Sequence, residues 1–117
     1  MIRRNIFETE PTYDRCHDGE GIVRMASVYS KEAGDFETGI QFLHYTVLPP
    51  DTSIGLHKHG DDEEFYIVLE GEGEMETDGI KKPVVKGDAI LNKPFSVHGI
   101  KNTSDSEELK LLVFEIK

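Results

Sequence analysis

Four side chains with metal-binding chemistry are spaced along the second half of the sequence. His57 and His59 are separated by one residue, so on an extended strand both imidazoles project from the same face and can converge on one cation. Glu64 follows a turn-forming Gly60-Asp61-Asp62 sequence, and His98 follows a turn that contains a proline. Glycine tolerates positive φ and aspartate bonds its own backbone, which favours such turns. The pattern predicts a centre of three imidazoles and one carboxylate.

Three nitrogens and one oxygen suit a divalent transition metal, and the residue types fit Fe(II), Mn(II), Ni(II), Co(II) and Zn(II) alike. Four protein ligands on an octahedral metal leave two positions for water, O₂ or a bidentate substrate, so the metal would act as a Lewis acid, orient a substrate or bind O₂. Tyr66 shares the strand parity of Glu64. It is the candidate catalytic residue, as a proton donor or as a hydrogen-bond partner of the ligand, although core packing explains a tyrosine there equally well.

Several neighbouring residues have two interpretations. Asp61, Asp62 and Glu63 are predicted to lie in a solvated turn rather than to act as extra ligands, and Glu63 replaces Glu64 as the ligand if the turn is one residue shorter. His44 lies in a predicted strand before His57. A hydrogen-bonded histidine in the protein core is favoured there over a histidine that faces the metal-binding centre.

Three residues nearer the N-terminus have less definite roles. Cys16 and His17 lie beside a glycine turn. An ordinary turn is favoured there over a segment that caps the mouth of a β-barrel. Arg24 is interpreted as an exposed strand charge rather than as a partner for a substrate carboxylate. Later in the chain, Phe95 is expected to pack in the core or to line the cavity.

The chain alternates short apolar runs with turn signals, and no helical stripe of useful length interrupts them. Asp78-Gly79 predicts a type I′ hairpin, and Pro49-Pro50 ends a strand because proline cannot donate to a ladder. This density of strands and turns predicts an all-β sandwich or barrel. The predicted strands cover residues 22–29, 40–48, 65–69, 71–77, 80–85, 89–91, 97–101 and 109–116.

The region resembles the cupin family. The first cupin motif, G-x5-H-x-H-x3/4-E-x6-G, is matched from His57 to Gly71, with Asp51 in place of the first glycine. The second, G-x5-P-x-G-x2-H-x3-N, is matched by its first glycine, its histidine and its final Asn102, but Phe95 stands in place of the second glycine and the proline is one position late. These departures affect turns rather than ligands. The resemblance implies a double-stranded β-helix, or jelly-roll barrel.

On this basis residues 40–117 are expected to form the barrel core, and residues 1–39 an N-terminal arm with the first strands, packing on the barrel or on a dimer partner. If Glu64 faces the lumen, Phe65, Ile67 and Leu69 face outward, and three large apolar side chains are not expected to remain in water. The arm or a second subunit must cover them, which predicts a homodimer with paired or exchanged N-terminal strands.

Composition limits the partners. The 117 residues carry a formal net charge of -10, which disfavours nucleic acid and anionic membranes. Cys16 is the only cysteine and no long apolar segment is present, so a soluble, cytoplasmic protein is expected. The leading functional hypothesis is a metal-dependent cupin that binds a small organic molecule in the barrel, with dioxygenase activity as one form of it.

Two alternatives remain open at this stage. One is a non-catalytic cupin that binds a metabolite or a sugar, and the other is a sugar or sugar-phosphate isomerase. The isomerase is disfavoured because few basic residues accompany the motifs, namely Lys58, Lys86, Lys93 and Lys101.

Overall fold

The computed structural model describes all 117 residues and contains ten β-strands and one turn of 3₁₀ helix at Cys16–Asp18. No helix in it has the length and apolar character that crossing a membrane requires. The strands are β1 (Pro11–Asp14), β2 (Val23–Ser30), β3 (Ile40–Leu48), β4 (Ser53–Lys58), β5 (Glu63–Glu70), β6 (Glu72–Thr77), β7 (Ile80–Val85), β8 (Ala89–Asn92), β9 (Val97–Asn102) and β10 (Leu109–Ile116).

The strands form two sheets, and every pairing in them is antiparallel. The larger sheet has the order β1-β2-β3-β10-β5-β8, and the smaller has the order β4-β9-β6-β7. The predicted all-β, double-sheet barrel is therefore confirmed. β1 and β2, from the N-terminal third of the chain, lie at one edge of the large sheet and extend the part formed by β3, β10, β5 and β8.

The main core lies between the two sheets and follows strand parity. Along β5 the inward side chains of Glu64, Tyr66 and Val68 are 5%, 2% and 1% exposed. On β10 the residues Leu109 and Leu111 are fully buried in the same cluster. A buried side chain of this size contributes about 1.5–3 kcal/mol to folding, so this alternating pattern holds the barrel closed around its lumen.

The outward face of the large sheet has a second apolar cluster of Ala26, Val28, Tyr45 and Val47, against which Ile6 of the N-terminal arm packs. A salt bridge fastens the arm: Arg4 donates to both carboxylate oxygens of Asp35 at 2.8 and 3.0 Å, and also to the carbonyl of Val28 at 2.8 Å. On the same face, Phe65 and Phe114 stack with ring centroids 4.8 Å apart.

Two local features differ from the sequence prediction. β1 was not predicted, because its four residues begin with a proline; it pairs at the sheet edge, with Pro11 opposite Ala26, where a missing N–H is tolerated. The turn after it forms the 3₁₀ helix. The predicted type I′ hairpin is present, with φ of 49° at Asp78 and 81° at Gly79.

At two positions the cupin motifs have glycine and this chain does not, yet the backbone there keeps a conformation typical of glycine. Asp51 has φ of 60° and Phe95 has φ of 63°, in the left-handed region that non-glycine residues rarely adopt. Phe95 is also 63% exposed and does not line the cavity. The prediction that Phe95 packs in the core or lines the cavity is therefore wrong.

Candidate metal centre

Strand pairing brings the four predicted ligands together. β4 pairs with β9 so that His57 lies opposite His98, after a bulge between Ile54 and His57. His59 follows directly after the end of β4, and Glu64 enters from β5 on the facing sheet. Two ligands on neighbouring strands of one sheet, one in the loop and one on the facing sheet thus surround a single point.

The ligand atoms of these four residues all lie within 4.8 Å of one another. Nε2 of His98 is 3.0 Å from Oε1 of Glu64, and Nε2 of His59 is 3.5 Å from the same oxygen. Two donors on opposite sides of one first-row metal are about 4 Å apart. The spacing therefore matches the span of one coordination sphere.

Hydrogen bonds fix the orientation of two of the imidazoles. Nδ1 of His57 lies 2.8 Å from the carbonyl oxygen of Gly55, so this nitrogen carries the proton and Nε2 keeps its lone pair. Nδ1 of His59 lies 2.5 Å from Oδ2 of Asp62, while Nε2 of His59 is buried without a hydrogen-bond partner. Metal-binding histidines show this arrangement, with one nitrogen donating outward and the other free for the metal.

The protonation state of His57 also fits a bound cation, whereas the surroundings of His98 differ from those of the other two imidazoles. Burial lowers the pKa of His57 to about 4, so this imidazole is neutral at pH 7, as a metal ligand must be. His98 is fully buried, and its Nδ1 has no hydrogen-bond partner. It therefore lacks the outward hydrogen bond that orients the other two rings.

Asp62 does not lie in a solvated turn, and that prediction is wrong. It is 8% exposed, and besides contacting His59 it accepts a hydrogen bond from the backbone N–H of Gly60 at 3.1 Å. Its neighbours do face outward: Asp61 contacts Lys117 at 3.4 Å, and Glu63 pairs with Lys93 at 3.1 Å. Consequently Glu64, not Glu63, joins the histidines.

Three of the four residues, His57, His59 and Glu64, line a cavity of about 370 Å³, and the fully buried His98 lies against them, with Nε2 3.0 Å from Oε1 of Glu64. Tyr66 lines this cavity, and its ring centroid is 5.7 Å from that of His98. Burial, and then the charge of Glu64, raise the pKa of the Tyr66 hydroxyl well above its usual value. The phenol is therefore protonated at neutral pH, as a proton donor would need to be.

Glu115 lines the same cavity and was not singled out from the sequence. It lies opposite Glu64 in the pairing of β10 with β5. Burial, then the charge of Asp62, raise the pKa of its carboxyl to about 7. The available signal was parity, because an acid continues the inward series of Leu109, Leu111 and Val113.

The other residues considered from the sequence divide between the cavity and the surface. Cys16, His17 and His44 all line the cavity. His44 stacks on Phe42 at 4.0 Å between ring centroids rather than making the hydrogen bond expected of a core histidine, while burial raises the pKa of the Cys16 thiol. Arg24 faces a separate surface pocket, in agreement with the interpretation as a strand charge outside the site.

Asn102, the last residue of the second motif, is structural. It is fully buried, and its Nδ2 lies 3.0, 3.1 and 2.8 Å from the carbonyl oxygens of Leu48, Pro49 and Glu107. Its Oδ1 accepts from the backbone N–H of Ser104 at 2.9 Å. The side chain therefore ties two loops together and does not line the cavity.

A closed double sheet with a histidine and glutamate centre in its lumen defines a class of metal-binding β-barrels, and comparison with known proteins specifies the family. The cupin domain model matches residues 44–115. The chain therefore belongs to the cupin family.

Individual relatives extend the likeness to nearly the whole chain. An oxalate-binding protein from Thermotoga maritima is 33% identical over 107 residues, which are 92% of this chain and 87% of that protein. The crystal structure of a predicted oxalate decarboxylase from the same organism has a TM-score of 0.90 at 33% identity, covering 99% of this chain and 98% of that one. A polyketide cyclase from Streptomyces resistomycificus, with a TM-score of 0.81 over 99% of this chain and 79% of that one, is 20% identical and shares the fold alone.

Proposed function

We propose that this protein holds a divalent transition metal through His57, His59, Glu64 and His98 and binds a small carboxylate, with oxalate as the leading ligand, at that metal. The observation that carries the proposal is the convergence of these ligand atoms, within 4.8 Å of one another, at a cavity of about 370 Å³. The 33% identity to an oxalate-binding protein, over 92% of this chain, supports the choice of ligand.

The residues around the centre explain why an anionic ligand would depend on the metal. The cavity lining contains the carboxyl groups of Asp62, Glu64 and Glu115 but only one lysine, Lys58. A bound divalent cation supplies the positive charge and Lewis acidity that this lining lacks. Part of the remaining lining is apolar and includes Phe42, Ile54 and Val113.

The experiment is a titration of oxalate into metal-loaded protein by isothermal calorimetry, alongside elemental analysis of protein purified without chelators. Wild-type protein should bind oxalate only when metal is present, and His59→Ala should lose both metal and oxalate while remaining folded by circular dichroism. Full metal occupancy in His59→Ala would refute the ligand assignment. The analysis also identifies which of Fe, Mn, Ni, Co or Zn the site retains.

A second candidate function is turnover of the bound acid. Tyr66 favours it, because its buried, protonated hydroxyl lines the cavity beside His98; decarboxylation and dioxygenation are the two reactions to test. Release of CO₂ or uptake of O₂ that falls in Tyr66→Phe would support an enzyme. Ligand-dependent thermal stabilisation without turnover would support a binding protein, which is the form we favour.

A homodimer is part of the proposal. Phe65, Phe114 and Leu43 are only partly buried on the outward face of the large sheet, and the rings of Phe65 and Phe114 stack on each other. Contiguous apolar surface of this kind usually marks an interface, and a two-fold pairing of this face would cover it in both subunits. We propose that the N-terminal residues 1–39 border this interface.

A further inference from the structure

The 3₁₀ turn at Cys16–Asp18 is held against the metal-binding strand by close backbone contact. A Cβ atom on Gly55 would overlap the carbonyl oxygen of His17, and one on Gly19 would overlap the carbonyl oxygen of Ser53. Two hydrogen bonds connect the same segments, from the Ser53 N–H to the Glu20 carbonyl at 2.9 Å and from the Glu20 N–H to the Ser53 hydroxyl at 2.8 Å. A glycine on each side is therefore required for the position of this turn.

The turn also contains backbone strain. His17 has φ of 52° and ψ of 44°, and Asp18 has φ of 56°. A left-handed conformation costs a non-glycine residue about 1–2 kcal/mol, and such residues cluster at ligand-binding sites. Glycine at position 17 would avoid the strain. We therefore infer that the imidazole side chain of His17 has a role that offsets this cost.

The ring of His17 stacks on His57, with centroids 3.6 Å apart and planes inclined by 12°. Gly55 connects the two rings, because it accepts the Nδ1 proton of His57 and also provides the space for the His17 backbone. The His17 imidazole lines the cavity and makes no hydrogen bond to another residue. Its ring N–H is free for a molecule inside the cavity.

This stacking argues that His17 contacts a ligand rather than the metal. His57 would hold a cation through Nε2, because its Nδ1 donates to the carbonyl of Gly55. The His17 ring occupies a nearly parallel plane displaced by the stacking distance. The His17 ring therefore lies beside the His57 imidazole, outside the group of four candidate ligands, on the cavity wall that a metal-bound molecule would contact.

We propose that His17 is a ligand-binding residue that donates a hydrogen bond from its ring to the outer oxygen of a small carboxylate held at the metal. This inference rests on the proposed function and specifies it further. The turn at Cys16–Asp18 then serves as a fixed wall that places this donor, and it selects ligands whose second oxygen reaches His17. A dicarboxylate has such an oxygen, whereas azide bound to the metal has none.

The experiment compares wild-type, His17→Gly, His17→Asn and Asp18→Gly proteins, each loaded with Co(II). Asp18→Gly is the matched control, because it removes the same kind of backbone strain from a residue that does not line the cavity. Metal affinity is measured by chelator competition, unfolding by urea, and the binding of oxalate and azide by calorimetry and by the Co(II) absorption spectrum.

We expect His17→Gly to bind oxalate at least about tenfold more weakly, since a hydrogen bond to a charged group is lost. Its metal affinity and azide affinity should stay within twofold of wild type, and its resistance to urea should be equal or greater. Asp18→Gly should retain oxalate affinity. His17→Asn should recover part of it, because asparagine tolerates the left-handed conformation and retains an N–H donor.

Three results would overturn the inference, and each differs in its bearing on the proposed function. Equal oxalate affinity in wild type and His17→Gly refutes the role of His17 and leaves the proposed function intact. A parallel loss of metal, azide and oxalate affinity in His17→Gly shows that His17 only supports His57. Failure of metal-loaded wild type to bind oxalate refutes both proposals.

Discussion

His59 and Asp62 are joined by a short hydrogen bond, Nδ1 to Oδ2 at 2.5 Å, and the other carboxylate oxygen accepts from the N–H of Gly60 at 3.1 Å. Asp62→Asn leaves one acceptor oxygen for these two donors. We expect metal affinity to fall about 10- to 100-fold, as is typical when the outward partner of a metal-binding histidine is removed. Chelator competition measures the change.

Asp61→Asn is the matched control for this prediction. Asp61 is the adjacent residue of the same turn, but its carboxylate is exposed and pairs only with Lys117. It should retain wild-type metal affinity. Equal losses in the two variants would mean that the acidity of the turn, rather than the bond to His59, affects the metal.

Phe95→Gly should stabilise the fold. Phe95 has φ of 63° and is 63% exposed, so glycine removes left-handed strain and exchanges little buried surface. We expect the free energy of unfolding in urea to rise by about 1 kcal/mol. The comparison variant is Asp51→Gly, with φ of 60°, which should gain less because aspartate tolerates this conformation better. A destabilised Phe95→Gly protein would show that the ring packs against something outside the subunit.

Asn102→Asp separates fold from site. Nδ2 of Asn102 donates to carbonyl oxygens of Leu48, Pro49 and Glu107 in a fully buried position. An aspartate would place a carboxylate against these three acceptors, and the loss should be about 3 kcal/mol in urea unfolding. Metal affinity of the folded protein should not change. Loss of metal at full stability would contradict the structural role that we assign.

Three of the four candidate metal ligands, His57, His59 and Glu64, were predictable from local signals, and His98 was predictable from the second cupin motif. The H-x-H spacing, the turn sequence and the alternation along β5 each involve neighbouring residues, and parity alone separates Glu64 and Tyr66 from Phe65. The conformation of two turns also follows the cupin motifs. The backbone at Asp51 and Phe95, where the motifs have glycine, keeps the left-handed conformation.

The missed features depend on contacts that exist only once the backbone has folded. Asp62 becomes a buried partner of His59 only because the turn folds back on itself, and turn acids are usually solvated. Glu115 follows the inward parity of β10, but its position opposite Glu64 depends on the register between β10 and β5, which the sequence does not reveal. Likewise, Gly19 and Gly55 show their importance only once the backbones meet.

Phe65→Glu tests the proposed interface. Phe65 stacks on Phe114 on the outward face of the large sheet, so a carboxylate there should convert a dimer into a monomer by light scattering while metal content is unchanged. Ile80→Glu provides the control, since Ile80 is 64% exposed on the other sheet and its replacement should leave assembly intact. A wild-type monomer at micromolar concentration would refute the dimer.

Glu115→Gln should change how stability depends on pH in the metal-free protein. Folding raises the pKa of Glu115 from its usual 4.5 to about 7, so the native state holds this proton more tightly than the unfolded chain. The contribution of Glu115 is therefore most favourable below about pH 4.5, declines as the pH rises towards 7, and is lost above that. Glutamine does not ionise and can still donate a hydrogen bond to Asp62.

The measurement is the difference in urea unfolding free energy between Glu115→Gln and wild type from pH 4.5 to 8. It should grow in favour of the variant across this range. His57, with a pKa lowered to about 4, makes both proteins less stable as the pH falls, and its effect cancels in the difference. Glu72→Gln, at an exposed position of β6, should give a flat difference. Metal must be absent, because a nearby divalent cation would itself lower the pKa of Glu115. A flat difference for Glu115→Gln would contradict the prediction, because it would mean that the carboxyl of Glu115 is already ionised at pH 5.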